Sequence, residues 1–322
     1  MELDPQAQQL NAQLQAANPT LLEMLAARGR AAFFPKMGVL AQSAEAQGMA
    51  INATIGVALE EDGRPMCLPS IARQISLPPE QVVSYTPSTG RPDVRRAWQA
   101  LLLKKNPSLV GKSFSLPVAT SALTHGLHLC GYLFGEAGRS LICPDLYWEN
   151  YDTVFWQAHA TRLDLFPMFN NRGGFNVEGL RAKLAASTAR PTLVLLNFPN
   201  NPTGYTPTSA EAQEIAAALE QAAQRGPLVV LIDDAYFGLV YEPGVFNESI
   251  FTLLCDRHPN LLAIKLDGPT KEDYAWGLRV GFMTYGIQNG TPAVYAALES
   301  KTAGVIRGNI SNISNLGQSL LS

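Results

Sequence analysis

The chain has 322 residues, 47% of them apolar and 16% charged, with a formal net charge of −3. That length is enough for a large core in one or two domains, and the composition excludes a disordered chain. With no surplus of basic residues, nucleic acid is not an expected partner.

The first residues, MELDPQAQQL, are acidic and polar, unlike a secretory signal, and no apolar run reaches membrane-spanning length. A cytoplasmic location away from membranes is therefore expected. The four cysteines, Cys67, Cys130, Cys143 and Cys255, are isolated in sequence. With no C-x-x-C pair among them, they are expected to be reduced, buried thiols.

Residues 7–17 have the composition of a short polar helix. A regular pattern begins near residue 115. Leu116–Thr120 is a predicted strand and Leu123–Phe134 a predicted helix. Strands are predicted at Ser140–Cys143, Ala160–Phe166 and Thr192–Phe198, with a helix at Val177–Ala186. Ser209–Gln224 is an Ala-rich helix, with Thr208 and Glu211 spaced as a capping box. Leu228–Ile232 and Leu261–Leu266 are buried strands, and Leu278–Tyr285 follows closely. Pro292–Arg307 is a long predicted helix, and Asn315–Leu321 begins another. The sequence stops at Ser322 without a helix-ending signal, the pattern of a cut chain or of a natural stop.

Short apolar strands separated by helices predict an α/β fold, a mostly parallel sheet sandwiched by helices. Such sheets bind ligands at the carboxyl ends of their strands. Asn197–Gly204, Asp233–Tyr236 and Pro269–Lys271 all fall at predicted strand ends.

Taken singly, each of these residues has an ordinary structural explanation. Asp233 could cap a helix, Tyr236 could be core, and Asn201 could form a turn. Lys271 could be a solvated amine, and Arg279 could be half of an ion pair. Lys265, inside an apolar run, rivals Lys271 as a reactive amine. His125 and His128 lie three apart on a predicted helix, but no third ligand follows at metal spacing, so no metal site is expected.

Together the residues match the needs of an aldehyde cofactor with a phosphate and a protonated pyridine ring. An amine must join the aldehyde, and a carboxylate must keep the ring nitrogen protonated. Neutral donors must hold the phenolate oxygen. A guanidinium and a helix N-terminus must hold the phosphate. Lys271, Asp233, the pair Asn201 and Tyr236, and Arg279 supply these in order. Ala122, Leu123 and Thr124, opening a helix after a strand, add amides and a hydroxyl.

The motifs "NNPTG", "DDAY" and "KEDYAWGLRVG" resemble the signatures of the class I/II aminotransferases, fold-type I pyridoxal-phosphate enzymes. The resemblance runs from about residue 50 to the end. It implies that Lys271 is the Schiff-base lysine and Asp233 the pyridine-nitrogen partner. It further implies that Asn201 and Tyr236 bind the phenolate oxygen and Arg279 the phosphate. Within "NATIG" it picks out Gly56, near the substrate carboxylate. In "SYTPSTG" it picks out Tyr85, whose hydroxyl would reach the phosphate across a homodimer interface. In "PDLYWENY" it implies that Trp148, or alternatively Tyr147, stacks on the cofactor ring. In "IRGNISN" Arg307 would reach the neighbouring subunit's site and favour a dicarboxylic substrate. A helix-terminal arginine facing the helix dipole is the equal alternative.

Two departures from the family pattern stand out. Gly268 occupies the position of a phosphate-binding serine, and Thr270 is the candidate replacement hydroxyl. The family's C-terminal small domain carries the arginine that grips the α-carboxylate, and that arginine is not found before Ser322.

The expectation is a pyridoxal-phosphate-dependent aminotransferase acting on an amino acid and a 2-oxo acid. Residues 1–60 would contribute to a small domain, 61–300 form the cofactor-binding large domain, and 301–322 start the rest of the small domain. A β-lyase or synthase using the same cofactor is one alternative. A cofactor-sensing regulatory domain is another, although the first sixty residues hold no basic helix-turn-helix.

Overall fold

The computed structural model describes residues 3–34, 39–50, 52, 54 and 56–322. Met1, Glu2, residues 35–38 and Ile51 lie outside the described residues, as do Ala53 and Ile55 of the "NATIG" stretch. Four short helices come first: α1 (Pro5–Ala17), α2 (Pro19–Met24), α3 (Ala27–Ala31) and α4 (Val39–Glu45). The Asp4 carboxylate caps α1 by accepting from the Gln6 amide at 2.8 Å. Next come α5 (Pro69–Gln74) and α6 (Pro92–Lys105), the latter not foreseen from the sequence.

The strands are β1 (Val118–Thr120), β2 (Ser140–Pro144), β3 (Arg162–Phe166), β4 (Thr192–Asn197), β5 (Leu228–Asp233), β6 (Leu261–Asp267) and β7 (Gly281–Gly286). Between and after them run α7 (Ala122–Phe134), a π-helix (Asp152–Gln157), α8 (Val177–Ala186), α9 (Ser209–Ala223), α10 (Phe251–Leu254), α11 (Pro292–Asn309) and α12 (Asn315–Ser319). The strands form a seven-stranded sheet in the order β1-β7-β6-β5-β4-β2-β3. β7 runs antiparallel to both its neighbours, while β2 to β6 pair in parallel. The expected mostly parallel α/β sheet is therefore present, with one reversed strand.

Period-2 alternation divides the buried side chains between two cores. Val194, Leu196, Val230 and Ile232 pack on one face with Leu180, Ile215 and Leu219 from α8 and α9. Leu193, Leu195, Val229 and Leu231 pack on the other with Leu127 and Cys130 of α7 and Phe155 of the π-helix. Both faces are covered, so β4 and β5 are apolar along nearly their whole length.

The capping box at α9 is formed: the Glu211 amide donates to Thr208 Oγ1 at 3.2 Å, and the Thr208 amide donates to Glu211 Oε2 at 2.8 Å. At the chain's far end, Gln318 is buried and its Oε1 accepts from the Arg91 amide at 2.7 Å. Among the described residues, no helix is long and apolar enough to cross a membrane. Cys130, Cys143 and Cys255 are buried free thiols. Cys67 departs from the expectation because it lies exposed in the loop just before α5.

Candidate active site

Adjacent parallel strands end side by side, so residues distant in sequence meet at one edge of the sheet. Asn197 closes β4 opposite Asp233, which closes β5. Asn197 Nδ2 donates to the Asp233 carbonyl at 2.8 Å, and its Oδ1 accepts from the Asn201 amide at 2.7 Å. One side chain thus fixes the start of the "NNPTG" turn against the Asp233 backbone.

The Asp233 carboxyl is 3% exposed. Burial pushes it up to about 6, against the opposing effect of its hydrogen bonds. Tyr151 Oη donates to Asp233 Oδ2 at 2.6 Å, and the Ala235 amide donates to Oδ1 at 3.1 Å. Tyr151 is itself buried and was not singled out from the sequence, although it closes the "PDLYWENY" stretch.

Lys271 follows β6 in a Gly-Pro-Thr turn and is half-buried. Its Nζ donates to the Gly56 carbonyl at 3.5 Å and sits 5.2 Å from the Tyr236 ring centre. Burial, together with the Arg279 guanidinium, holds the amine below its ordinary range. Trp276 Nε1 donates to the same Gly56 carbonyl at 2.9 Å. A Cβ on Gly56 would lie 3.1 Å from Tyr236 Oη and 3.2 Å from Lys271 Nζ. The glycine is therefore where the loop meets the amine. Gly56, Tyr147, Trp148, Asn201, Tyr236 and Lys271 line one cleft of about 1,660 Å³ that continues beneath the N-terminal helices. Both aromatic candidates line it, and Tyr147 Oη is committed to Asp152 at 2.8 Å.

The N-terminus of α7 packs against the start of β7. Ala122 adopts φ 61°, and Gly281 approaches so closely that a Cβ there would fall 2.8 Å from the Ala122 carbonyl carbon. Gly268 is equally confined: its Cβ would fall 2.9 Å from Gly281 Cα and 3.0 Å from the Val280 carbonyl oxygen. The absence of serine at 268 thus has a packing cause. Thr270 Oγ1 is buried with no hydrogen-bond partner among the described residues. Arg279 is exposed in the left-handed region at φ 54°, with Nη1 3.3 Å from the Trp276 carbonyl. Leu123 is buried and Thr124 half-buried at the first turn of α7.

Tyr85 and Arg307 do not join this cleft within the single chain. Tyr85 is 91% exposed, and Arg307 is exposed at the end of α11 with Nη1 donating to Ser311 Oγ at 2.8 Å. Lys265 is not a free amine: it is fully buried and ion-paired with Asp234 and Asp267. His125 Nδ1 accepts from the Ser121 amide at 3.0 Å, and His128 Nδ1 lies 3.2 Å from His159 Nε2. Among the described residues, no three His, Cys, Asp or Glu side chains are grouped as a metal site.

Residues 50–322 match the family described as aminotransferase class I and II. A cytoplasmic aspartate aminotransferase of Caenorhabditis elegans is 24% identical over 81% of this chain and 64% of its own length. A histidinol-phosphate aminotransferase of Neisseria gonorrhoeae is 34% identical over 66% of this chain and 57% of its own length. The chain thus spans less than two thirds of these curated relatives. A solved aminotransferase structure from Anaerococcus prevotii superposes with a TM-score of 0.81 at 22% identity, covering 92% of this chain and 74% of that one. That likeness establishes the fold.

Proposed function

The chain belongs to the aminotransferase class I and II family, and on that basis we propose that it moves an amino group between an amino acid and a 2-oxo acid with pyridoxal phosphate. The family typically binds this cofactor. The observation that carries the reading is the Lys271 amine, held toward its neutral form in the same cleft as Tyr236 and Asn201. A neutral amine is what an aldehyde requires.

The residues present fit the cofactor. The buried Thr270 hydroxyl lacks a partner among the described residues and suits a phosphate oxygen in place of the serine excluded at 268. The amides opening α7 and the Arg279 guanidinium suit the rest of that phosphate. Asp233, at the carboxyl end of β5, suits a ring nitrogen, and a protonated ring in turn favours its ionised form. Asn201 and Tyr236 supply neutral donors for the phenolate oxygen.

When bound, the cofactor supplies an electron sink beside the substrate α-carbon. Lys271 would hold the cofactor and would serve as the base that moves the proton at that carbon. Asp233 would keep the ring nitrogen charged, and Trp148 or Tyr147, which line the same cleft, would contact the ring. Gly56 leaves space beside the amine for the substrate carboxylate. The exposure of Tyr85 and Arg307 supports roles across a homodimer interface, Tyr85 at the phosphate and Arg307 at the substrate.

The test is an absorption titration with pyridoxal phosphate, followed by addition of an amino acid and a 2-oxo acid. A visible band that Lys271→Ala abolishes, with new amino acid formed only when the 2-oxo acid is present, is expected. Pyruvate released without an acceptor would move the reading to β-elimination. A band unchanged in Lys271→Ala would overturn it.

A further inference from the structure

Lys265 is 0% exposed in the middle of β6, between Ile264 and Leu266, which belong to the apolar core. Its ammonium pairs with Asp234 Oδ2 and lies 3.1 Å from Asp267 Oδ2. It also sits 4.4 Å from the Phe237 ring centre. Burial alone would lower the amine, but the two carboxylates outweigh it and hold Lys265 above its ordinary value. It is a fixed cation.

Both carboxylates are anchored from other elements as well. Ser249 Oγ donates to Asp234 Oδ2 at 2.5 Å, and Trp98 Nε1, from α6, donates to Asp267 Oδ1 at 3.0 Å. The Ser249 amide in turn donates to Asn106 Oδ1 at 2.8 Å, just past the end of α6. The position of these partners in the chain is what matters. Asp234 follows Asp233 directly, and Asp267 is the last residue of β6, four before Lys271. Asp233 pairs with Leu266 in the last rung between the two strands, and the Asp234 amide donates to the Leu266 carbonyl at 2.9 Å, where the backbone link stops.

We propose that Lys265 is a positioning residue: by tying Asp234 to Asp267 beyond that last rung, it fixes the separation between the Asp233 carboxylate and the Lys271 amine. This rests on the roles given to Asp233 and Lys271 above. Stability alone does not account for the lysine. A buried ion cluster is commonly no better than apolar side chains of similar volume. Among Ala263, Ile264 and Leu266, an apolar residue would fill the position without desolvating three charges. What an apolar residue lacks is a directed side-chain link between two strand ends, in addition to the backbone bond at Asp234.

The test compares four versions of this 322-residue chain: wild type, Lys265→Met, Asp267→Asn, and the neutral triple variant Lys265→Met/Asp234→Asn/Asp267→Asn. Each is measured for melting temperature, pyridoxal-phosphate affinity and the pH midpoint of the visible band. Lys265→Met leaves two buried carboxylates facing each other and should melt lowest. The triple variant removes all three charges and should regain most of the melting temperature. Its affinity should nevertheless stay about tenfold weaker than wild type, with a displaced band midpoint, because the link is gone. Asp267→Asn keeps the Lys265–Asp234 pair, so it reports even if Lys265→Met fails to fold. It should show a smaller displacement in the same direction with a near-normal melting temperature, because Lys265 then holds Asp234 but not Asp267. Wild-type affinity and midpoint in both the triple variant and Asp267→Asn would mean that the cluster serves stability only, and would overturn the proposal. A wild type with no Lys271-dependent band would instead overturn the site reading, and this proposal with it.

Discussion

Tyr151 donates its phenolic hydrogen to Asp233 across 2.6 Å in a fully buried pair, linking the stretch just before the π-helix to the carboxyl end of β5. The contact explains how a desolvated carboxyl stays within reach of ionisation at neutral pH. Burial raises the Asp233 pKa from 3.8 to about 6, and the Tyr151 hydrogen bond is the largest effect opposing that rise.

The sign of the resulting pH dependence is fixed. Asp233 binds its proton more tightly folded than unfolded, so stability falls as pH rises from about 4 to 6. Above that window the full penalty applies, on the order of 3 kcal/mol at 1.36 kcal/mol for each unit. Asp233→Asn removes it. In the cofactor-free protein, the melting temperature of the variant relative to wild type should therefore climb between pH 4 and 7. Tyr151→Phe should extend the wild-type decline to higher pH, because the carboxyl then titrates later. A flat difference across this range for Asp233→Asn would contradict the assignment of Asp233 as the buried titrating group.

Gly56 provides a local test of the cleft. Its backbone φ is not in the left-handed region, so alanine there carries no backbone strain. Among the described residues, the atoms nearest the added methyl are the ends of two side chains, Tyr236 Oη and Lys271 Nζ. Gly56→Ala should leave the melting temperature within a degree or two of wild type, since surface-type changes stay near ±0.5 kcal/mol. It should lower cofactor affinity or turnover by about tenfold, because the amine must move by tenths of an ångström. A titration that matches wild type would place the amine elsewhere in solution.

Much of the sheet was legible because β4, β5 and β6 are buried on both faces and so are nearly continuous apolar runs. Lys265 interrupts such a run, and the sequence could not say whether it reacts or pairs. Its partners, Asp234 and Asp267, become neighbours only once β5 and β6 are aligned. The reversal of β7 was hidden for a similar reason: a short apolar strand carries no mark of its direction. β7 starts three residues after Leu278, at Gly281, because Trp276–Leu278 forms a 3-10 turn and Arg279 is left-handed. Helix α6 was missed although Pro92 and Asp93 make an ordinary helix start. Tyr151 could have been suspected only by asking which side chain satisfies a buried carboxylate. The motif residues Asn201, Tyr236 and Lys271 meet at the cleft because each sits within four residues of a strand's carboxyl end, which strand order alone brings together.

The contact between β7 and the N-terminus of α7 bears on stability directly. A Cβ on Gly281 would lie 2.8 Å from the Ala122 carbonyl carbon and 2.9 Å from Thr120 Oγ1. The first is backbone and cannot swing aside. Gly281→Ala should destabilise the protein by about 1–3 kcal/mol, the usual penalty for overpacking. Gly268→Ser should do the same rather than improve cofactor binding, since its Cβ would meet Gly281 Cα and the Val280 carbonyl. Denaturant midpoints of the two variants check this. A Gly268→Ser protein as stable as wild type with tighter cofactor binding would show that the departure from serine has no packing cause.

Thr270 separates the phosphate role from folding. Its Oγ1 is buried with no partner among the described residues, and an unsatisfied buried hydroxyl is a liability of about 1–3 kcal/mol. Thr270→Val keeps the branched shape and removes that liability. The cofactor-free variant should be as stable as wild type or more stable, by melting temperature. If the hydroxyl serves the phosphate, pyridoxal phosphate should bind the variant about tenfold more weakly, the loss of one charge-assisted hydrogen bond. Pyridoxal, which has no phosphate, should bind wild type and variant alike. That comparison distinguishes the phosphate from the ring, because a general distortion of the Lys271 turn would weaken both ligands. Equal weakening of the two would remove Thr270 from the phosphate site and leave Arg279 and the opening amides of α7 to hold it.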